Sequence, residues 1–172
     1  MKNFKLLWVL FAFTLVLSAS ATTIDFQSGD GSGEWVVVPP SITQQPTVVI
    51  TPHPAWDTMV DGKWVSFDQT GYNGSVVSNT TDVNSPTAVF YEEFYLPYAI
   101  NSGSATFGAD DTMAVYIFNV LNPTGALLKA ANWVQDGACA DGPIACEPGE
   151  FEVINLTPYL SQGTNILAMK TY

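Results

Sequence analysis

Basic residues are scarce in this sequence. It has no arginine, and its five lysines are outnumbered by 16 aspartates and glutamates. Lys2 and Lys5 belong to the N-terminal apolar segment, and the remaining three lysines against 16 acidic residues leave a net charge of −13. Because nucleic acids and anionic membranes are bound through clustered lysine and arginine, this composition excludes both as partners. The acidity favours either solubility outside the cell or carboxylates that hold calcium.

Residues that commonly carry catalysis or bind zinc are few as well. The chain has one histidine and two cysteines, whereas a zinc site uses about four such ligands. There is no Gly-x-Ser-x-Gly motif, and SGDGSGEW (28–35) lacks the lysine of a phosphate-binding loop. His53 lies between Pro52 and Pro54, which stiffen the segment and favour a structural role. The sequence therefore predicts a protein that is not an enzyme.

Long apolar runs are confined to the N-terminus. There Lys2 and Lys5 precede LLWVLFAFTLVL (6–17) and small residues up to Ala21, an order typical of a secretory signal peptide cleaved after that alanine. No later run approaches the roughly 20 apolar residues of a membrane-spanning helix, so we expect secretion to the extracellular space or the periplasm. The predicted organisation is a signal peptide (1–21), a lead-in with the first strand (22–46) and one β-sandwich domain (47–172) that lacks its last strand.

The only two cysteines are Cys139 and Cys146, in the segment CADGPIAC. Export places them in an oxidising compartment, where a single pair normally forms a disulfide bond. The Gly-Pro sequence between them is a turn signal. The sequence therefore predicts a disulfide bond that fixes the shape of a short surface loop, because so small a loop adds little to stability by chain entropy.

Short runs rich in β-branched and aromatic residues fill the rest of the chain, separated by Gly, Pro, Asn, Asp and Ser. No stretch repeats apolar residues at helical spacing, so the chain is predicted to be all-β. The pattern is typical of an antiparallel β-sandwich or barrel. The predicted strands are WVVV (35–38), TVVI (47–50), KWVSF (63–67), SVVS (75–78), AVFYEEFYL (88–96), SATF (104–107), TMAVYIF (112–118), FEVINL (151–156) and NILAMKTY (165–172).

Two of these runs differ in the faces that they present. In TMAVYIF both alternating sets of side chains are largely apolar, which predicts a central strand covered on both sides. AVFYEEFYL is interrupted by Glu92 and Glu93, a pattern typical of a strand with one partly solvated face. We expect both of these carboxylates to be solvated or to be rim residues.

Three stretches of the second half, FYLP (94–97), ATFGADDTMAVYIFN (105–119) and FEVINLTPYLSQGTNILAMKTY (151–172), follow one another in a familiar order. They resemble the galactose-binding-domain-like jelly roll, which includes sugar-binding modules attached to glycoside hydrolases. The match is clearest in INLTPYLSQGTNILAM, at Leu156, Tyr159, Leu160, Gly163 and Asn165. The resemblance implies a jelly-roll β-sandwich that binds carbohydrate, but it is a signature of fold and not of activity.

The segment ITPHPAWDTMVDGKWVSF (50–67) resembles versions of this fold in exported bacterial proteins that often carry a PEP-CTERM sorting tail. The resemblance thus covers roughly residues 50–172. The chain departs from the family at Asn119-Val120, where an Asn-Gly turn is usual, and it carries no sorting tail.

Asp110 and Asp111 directly precede the apolar run TMAVYIF. The pair has three interpretations: it starts a strand by capping backbone amides, binds calcium, or takes part in catalysis. Catalysis is disfavoured because neighbouring residues of a strand point to opposite faces. Calcium needs about six to eight oxygen ligands, for which Asp136, Asp141 and Glu147 are further candidates. We expect the strand-starting role first, and a structural calcium ion held by Asp110 and Asp111 second.

Trp133 differs from the other tryptophans of the exported chain. Trp56 and Trp64 lie in the stretch that resembles the family, and we expect both to be buried. Trp133 is surrounded by Asn132, Gln135 and Asp136 and leads into the disulfide loop. Aromatic rings stack on the apolar faces of sugars, while amides and carboxylates bind the hydroxyls. The predicted ligand-binding residues are therefore Trp133, Asn132, Gln135 and Asp136.

Three classes of function remain compatible with the sequence. The first is a secreted, non-catalytic binding module for carbohydrate, and this is the one that we expect. The second is a structural protein of the extracellular matrix or cell surface without a small ligand. The third is an enzyme or an accessory domain of a secreted glycoside hydrolase. An exposed tryptophan beside polar groups would favour the first class, and two carboxyls facing each other across a cleft would favour catalysis.

Overall fold

The computed structural model describes residues 23–59, 61–75, 77, 82, 84–134, 139, 142 and 144–172. The predicted signal peptide (1–21) and part of the predicted strand SVVS (75–78) lie outside these residues. The described part of the chain contains no helix, and therefore none that is long and apolar enough to cross a membrane. The prediction of an all-β protein is confirmed.

Nine strands are present in the described ranges. They are β1 (Glu34–Val37), β2 (Val48–Val49), β3 (Val65–Ser66), β4 (Ala88–Leu96), β5 (Ser104–Phe107), β6 (Met113–Phe118), β7 (Ala126–Lys129), β8 (Glu152–Asn155) and β9 (Gly163–Thr171). All pairings are antiparallel, and they form a five-stranded sheet in the order β1-β4-β9-β6-β7 and two two-stranded sheets, β2-β3 and β5-β8.

The sequence located most of these strands closely. β4 and β5 begin and end at the predicted residues, and six others do so within two residues. β7 was not predicted, because its sequence ALLK lacks the β-branched and aromatic residues by which strands were recognised. It forms where the turn at residues 119–125 returns the chain along β6.

One face of the five-stranded sheet forms most of the core. β6 lies inside the sheet, between β9 and β7, and Val115 and Ile117 on this face are fully buried. Leu167 of β9 is directly opposite Ile117 and is also buried. This face, here called the inner face, shares one apolar cluster with Phe107 of β5 and Ile154 of β8. The two-stranded β5-β8 sheet therefore packs against the five-stranded sheet.

Aromatic side chains cover the opposite face of the same sheet. Trp35 of β1 and Tyr91 of β4 are cross-strand partners whose rings stack with centroids 5.3 Å apart and planes 11° from parallel. On β6, the ring of Tyr116 lies 4.7 Å beneath the ammonium group of Lys170. Ala168, which lies between these strands, is consequently only 2% exposed. The side chains are already packed on one another, so this face stabilises the sheet.

The entry to β9 is held by a buried asparagine. The side chain of Asn165 is fully buried, and its Oδ1 accepts hydrogen bonds from the backbone N–H of Ser161 (3.0 Å) and from Nδ2 of Asn119 (2.8 Å). Its Nδ2 donates to the carbonyl oxygens of Ser161 (2.8 Å) and Gly163 (3.0 Å). Both ends of the amide are satisfied, so Asn165 fixes where β9 starts relative to β6.

The predicted disulfide bond is present between Cys139 and Cys146, with their Cα atoms 6.0 Å apart. Both cysteines are fully buried and belong to a second apolar cluster with Ile50 and Trp64. The backbone N–H of Asp57 donates to the carbonyl oxygen of Cys146 (2.7 Å). The disulfide therefore does more than shape a surface loop, because it also packs against the segment that carries Trp64.

Replacing Leu167 with alanine tests the packing of the inner face. Leu167 is 1% exposed at the centre of the core, and truncation of such a leucine lowers the free energy of unfolding by about 2 to 5 kcal/mol because it leaves a cavity. Urea unfolding should show this loss for Leu167→Ala. The matched control is Leu121→Ala, which changes a side chain that is 65% exposed and should alter stability by about 0.5 kcal/mol or less. Equal losses in the two variants would contradict this core assignment.

Candidate functional site

A cavity of about 1200 Å³ lies between the inner face of the five-stranded sheet and the segments opposite it. Phe90 and Met169 line it from β4 and β9, while Val65 of β3 and Ala105 of β5 line the other side. The lead-in closes one end, where Phe26 stacks on Phe94 with ring centroids 4.8 Å apart. The segments opposite the sheet thus cover only part of its inner face. The space that they leave is large enough for a small ligand.

Four ring-bearing side chains, here called the aromatic cluster, line the cavity: His53, Trp56, Trp64 and Tyr72. The centroids of Trp56 and Trp64 are 4.7 Å apart, and His53 lies 6.2 Å from Trp56 and 5.5 Å from Tyr72. Trp64 is buried as expected, whereas Trp56 is half-buried and His53 and Tyr72 are exposed. The cluster therefore extends from solvent into the cavity.

Local hydrogen bonds fix the backbone that carries the aromatic cluster. Nδ1 of His53 accepts from the backbone N–H of Ala55 (3.2 Å), and the indole N–H of Trp64 donates to the carbonyl oxygen of Asp57 (3.2 Å). The backbone N–H of Tyr72 donates to the carbonyl oxygen of Thr51 (2.8 Å). The segments that carry the rings are thus held before any ligand arrives, which lowers the entropic cost of binding one.

Asp110 and Asp111 lie in a bend just before β6, as expected for residues that start this strand, and both line the cavity. The rule that neighbouring strand residues point to opposite faces therefore does not apply to them. The pKa of Asp110 is raised to about 6, chiefly by burial and secondly by the charge of Asp111, while His53 acts in the opposite direction. Asp110 remains in contact with solvent, so burial affects its carboxyl only in part.

The candidate calcium site at Asp110 and Asp111 remains a prediction. Among the described residues, the only group of three potential metal-ligand side chains that converge within 4.8 Å consists of Asp110, Cys139 and Cys146. The two cysteines are joined in a disulfide and offer no thiolate to a metal. Asp136 and Asp141, two of the further candidate ligands, lie outside the residues that the structure describes.

Glu92 lies on the inner face, and the expectation that it is solvated was wrong. Its side chain is 7% exposed and lines the cavity, whereas Glu93 points outward and is exposed. Burial raises the pKa of Glu92 to about 8, and the negative charges of Glu34 and Asp30 act in the same direction. The folded protein therefore holds a carboxyl that is largely protonated at neutral pH.

The two carboxyls with raised pKa values lie in different parts of the cavity. Glu92 is in register with Leu167, whereas Met113, at the start of β6, is in register with Thr171. Four residues along β9 span about 13 Å. Asp110 precedes Met113, and neither Glu92 nor Asp110 perturbs the pKa of the other. This arrangement differs from the paired carboxyls of glycosidases, which face each other at roughly 5 to 9.5 Å.

The predicted site around Trp133 is described only in part. Trp133 is half-buried and packs edge-to-face on Tyr172, with centroids 5.2 Å apart. Nδ2 of Asn132 donates to the carbonyl oxygen of Gly142 (3.0 Å), and its Oδ1 accepts from the backbone N–H of Val134 (3.2 Å). Gln135 and Asp136 lie outside the described residues. A ligand role for these four residues stays a prediction.

The sequence contains a signal for the buried carboxyl that the pattern analysis missed. In β4 the residues that alternate with Glu92 are Ala88, Phe90, Phe94 and Leu96, whereas those that alternate with Glu93 include Tyr91 and Tyr95. Of two alternating sets on a strand, the set without hydroxyl groups is the one that faces the core. Glu92 belongs to that set, so strict alternation predicts that it is buried.

Comparisons of the chain with protein-family models, with curated proteins and with solved structures found no match. The cavity is therefore interpreted from its own residues.

The raised pKa of Glu92 predicts how stability depends on pH. Between its ordinary value of 4.5 and about 8, the unfolded chain has released this proton while the folded chain retains it. The contribution of Glu92 to the free energy of unfolding therefore falls as pH rises through that window. At about 1.4 kcal/mol for each pKa unit, the wild type should lose a few kcal/mol relative to Glu92→Gln, as measured by urea unfolding between about pH 5 and pH 8.

The matched control for this measurement is Glu93→Gln, which changes the neighbouring exposed carboxylate on the other face of β4. Its pH profile should follow that of the wild type. A Glu92→Gln profile parallel to the wild type across the window would show that the pKa of Glu92 is not raised in the folded protein.

Proposed function

We propose that this protein is an exported binding module without catalytic activity, and that its ligand is a carbohydrate held in the cavity. We further infer that its antiparallel sheets form a β-sandwich of the jelly-roll type, similar to galactose-binding-domain-like modules. The apolar cluster that the five-stranded sheet shares with the β5-β8 sheet supports this arrangement. The closed disulfide bond is in keeping with an oxidising compartment outside the cytoplasm.

One observation carries the proposal: rings and hydrogen-bonding groups line the same cavity. Trp56 and Tyr72 present aromatic surface, and Asp110 and Asp111 present carboxyl oxygens. The apolar face of a sugar ring stacks on aromatic rings, and its hydroxyl groups donate hydrogen bonds to carboxylates. A purely apolar cavity would favour a lipid, whereas this mixture suits a ligand with both apolar faces and hydroxyl groups.

The absence of catalysis in this proposal follows from the positions of the carboxyls. Hydrolysis of a glycosidic bond by the common mechanisms needs two carboxyls that act on one bond from opposite sides. Glu92 and Asp110 are too far apart along the sheet to do so, and Glu34 and Glu92 are cross-strand partners that project side by side from one face. A cavity of this composition therefore favours binding of an intact sugar over its cleavage.

Removal of the exposed ring from the aromatic cluster tests this assignment. Tyr72 is 47% exposed at the cavity, so Tyr72→Ala should remove stacking surface at little cost to the fold. For a glycan identified on an array with the chain from residue 22, we expect the dissociation constant measured by calorimetry to rise about tenfold, the equivalent of 1.4 kcal/mol. The control is Tyr98→Ala, which removes a ring that is 73% exposed and does not line the cavity.

Trp133→Ala distinguishes the cavity from the site predicted around the disulfide loop. Loss of binding in Trp133→Ala, with Tyr72→Ala unaffected, would move the ligand to Trp133 and overturn the cavity assignment. Repeating the assay with a calcium chelator tests the candidate ion at Asp110 and Asp111. If no glycan binds with or without calcium, the carbohydrate proposal fails, and a structural protein of the matrix or cell surface becomes the better explanation.

A further inference from the structure

The cavity carries an excess of negative charge. Six acidic side chains and one lysine are among the residues that line it: Asp25, Glu34, Asp61, Glu92, Asp110 and Asp111, with Lys63. Because Glu92 is largely protonated at neutral pH, five carboxylates remain against one ammonium group. In a partly buried site such an imbalance is screened less than on an open surface. The electrostatic potential in the cavity therefore opposes an anionic ligand and favours a cationic one.

Glu92 is the acidic residue with the least compensation. It is 93% buried, since its exposed fraction is 7%, and it accepts no hydrogen bond from the described residues. Lys63 lines the same cavity but forms no ion pair with Glu92 among the described residues, whereas Lys129 bonds to Glu152 at 3.0 Å and Lys170 lies over Tyr116 on the opposite face. Its carboxyl is open to the cavity, since the only fully buried side-chain N or O atom without a partner among the described residues is Oγ of Ser161. An ammonium group that reached this carboxyl would favour its ionised form.

Two further acidic residues surround Glu92. Glu34 is its cross-strand partner on β1, and Asp30 precedes that strand in the same loop. Oε2 of Glu34 accepts from the backbone N–H of Gly29 (2.9 Å), and Asp30 accepts from the N–H and hydroxyl of Ser32 (both 2.7 Å). These bonds hold both carboxylates in place and leave acceptor positions on each of them.

Gly33 allows this loop to approach β4. Its φ angle is +69°, and a Cβ at this position would lie 3.0 Å from Oε1 of Glu92 and would meet the carbonyl oxygen of Glu93. The backbone N–H of Glu93 donates to the carbonyl oxygen of Gly33 (2.9 Å). The close approach brings the 30–34 loop against the carboxyl of Glu92.

The arrangement suits an ammonium group better than a metal ion. Carboxylate oxygens of Asp30, Glu34 and Glu92 are not among the groups of described residues that converge within 4.8 Å, whereas calcium needs many oxygens at about 2.3 to 2.6 Å. An ammonium group has three donors and can bond one or two carboxylates through directed hydrogen bonds. Binding an ammonium group therefore needs less rearrangement of these carboxylates than binding a calcium ion.

We infer that the end of the cavity formed by Glu34 and Glu92 binds an ammonium group of the ligand, so that the preferred carbohydrate is an amino sugar with a free amine. This inference rests on the proposed function, because it assumes that a carbohydrate enters the cavity. It adds the substrate class: glucosamine-type chains bind more tightly than their N-acetylated counterparts, and chains of uronic acids bind least.

The test compares three oligosaccharides of equal length by calorimetry at neutral pH: glucosamine, N-acetylglucosamine and uronic acid oligomers. We expect glucosamine chains to bind at least about tenfold more tightly than N-acetylated ones, since hydrogen bonds in which a partner is ionised are stronger than those between neutral groups. In Glu92→Gln that preference should disappear, so that the two chains bind with equal affinity. Glu93→Gln, the exposed neighbour on the other face, should keep the preference.

Each outcome of this test has one meaning. Equal affinity for glucosamine and N-acetylglucosamine chains, or a preference that survives Glu92→Gln, overturns the ammonium site and leaves the carbohydrate proposal intact. Failure of all three chains to bind overturns the ammonium site, and the carbohydrate proposal is then decided by the glycan array alone. If calcium raises the melting temperature of the wild type but not of Glu92→Gln, the three carboxylates form a metal site, and the ammonium assignment is wrong.

Discussion

The pairing of β9 with both β4 and β6 is the constraint on which the rest of the structure depends. β9 comes from the C-terminal part of the described chain, yet it lies between two strands from its middle and pairs with β4 along its whole length. The buried amide of Asn165 fixes where it begins. Because the side-chain period of a strand is two, a slip of one residue would expose Leu167 and bury Lys170. Register here therefore decides which side chains reach both the core and the cavity.

The cavity follows from how far the inner face is covered. Part of it packs against the β5-β8 sheet in one apolar cluster, while near β3 and the lead-in the opposing segments stand away from it. Interiors of proteins are normally close-packed, so an opening of this size marks a region where packing was not the overriding requirement. A carboxyl with a pKa of about 8 lies in the same opening. Both features lower stability, and both are accounted for if this end of the molecule binds a ligand.

Much of the fold was accessible from the sequence. The class, the bounds of β4 and β5, the position of β6 inside the sheet and the disulfide bond were all predicted, because each depends on local composition or on a single pair of cysteines. β7 was missed because ALLK forms a strand by pairing with β6 and not by intrinsic preference. Glu92 was misplaced because two adjacent glutamates suggested a solvated strand, and composition was given more weight than alternation.

The sequence by itself determined that the chain is β-rich, acidic and able to close one disulfide bond, since these properties reside in residue types and short-range order. Only the tertiary structure decided which residues share a site. It brought His53, Tyr72, Glu92 and Asp110 to one cavity, although they come from separate segments of the chain, because strand order and register are set by long-range pairing. Alternation along β4 indicates that Glu92 is buried, but its raised pKa also depends on Glu34 and Asp30, which only the assembled sheet brings close to it.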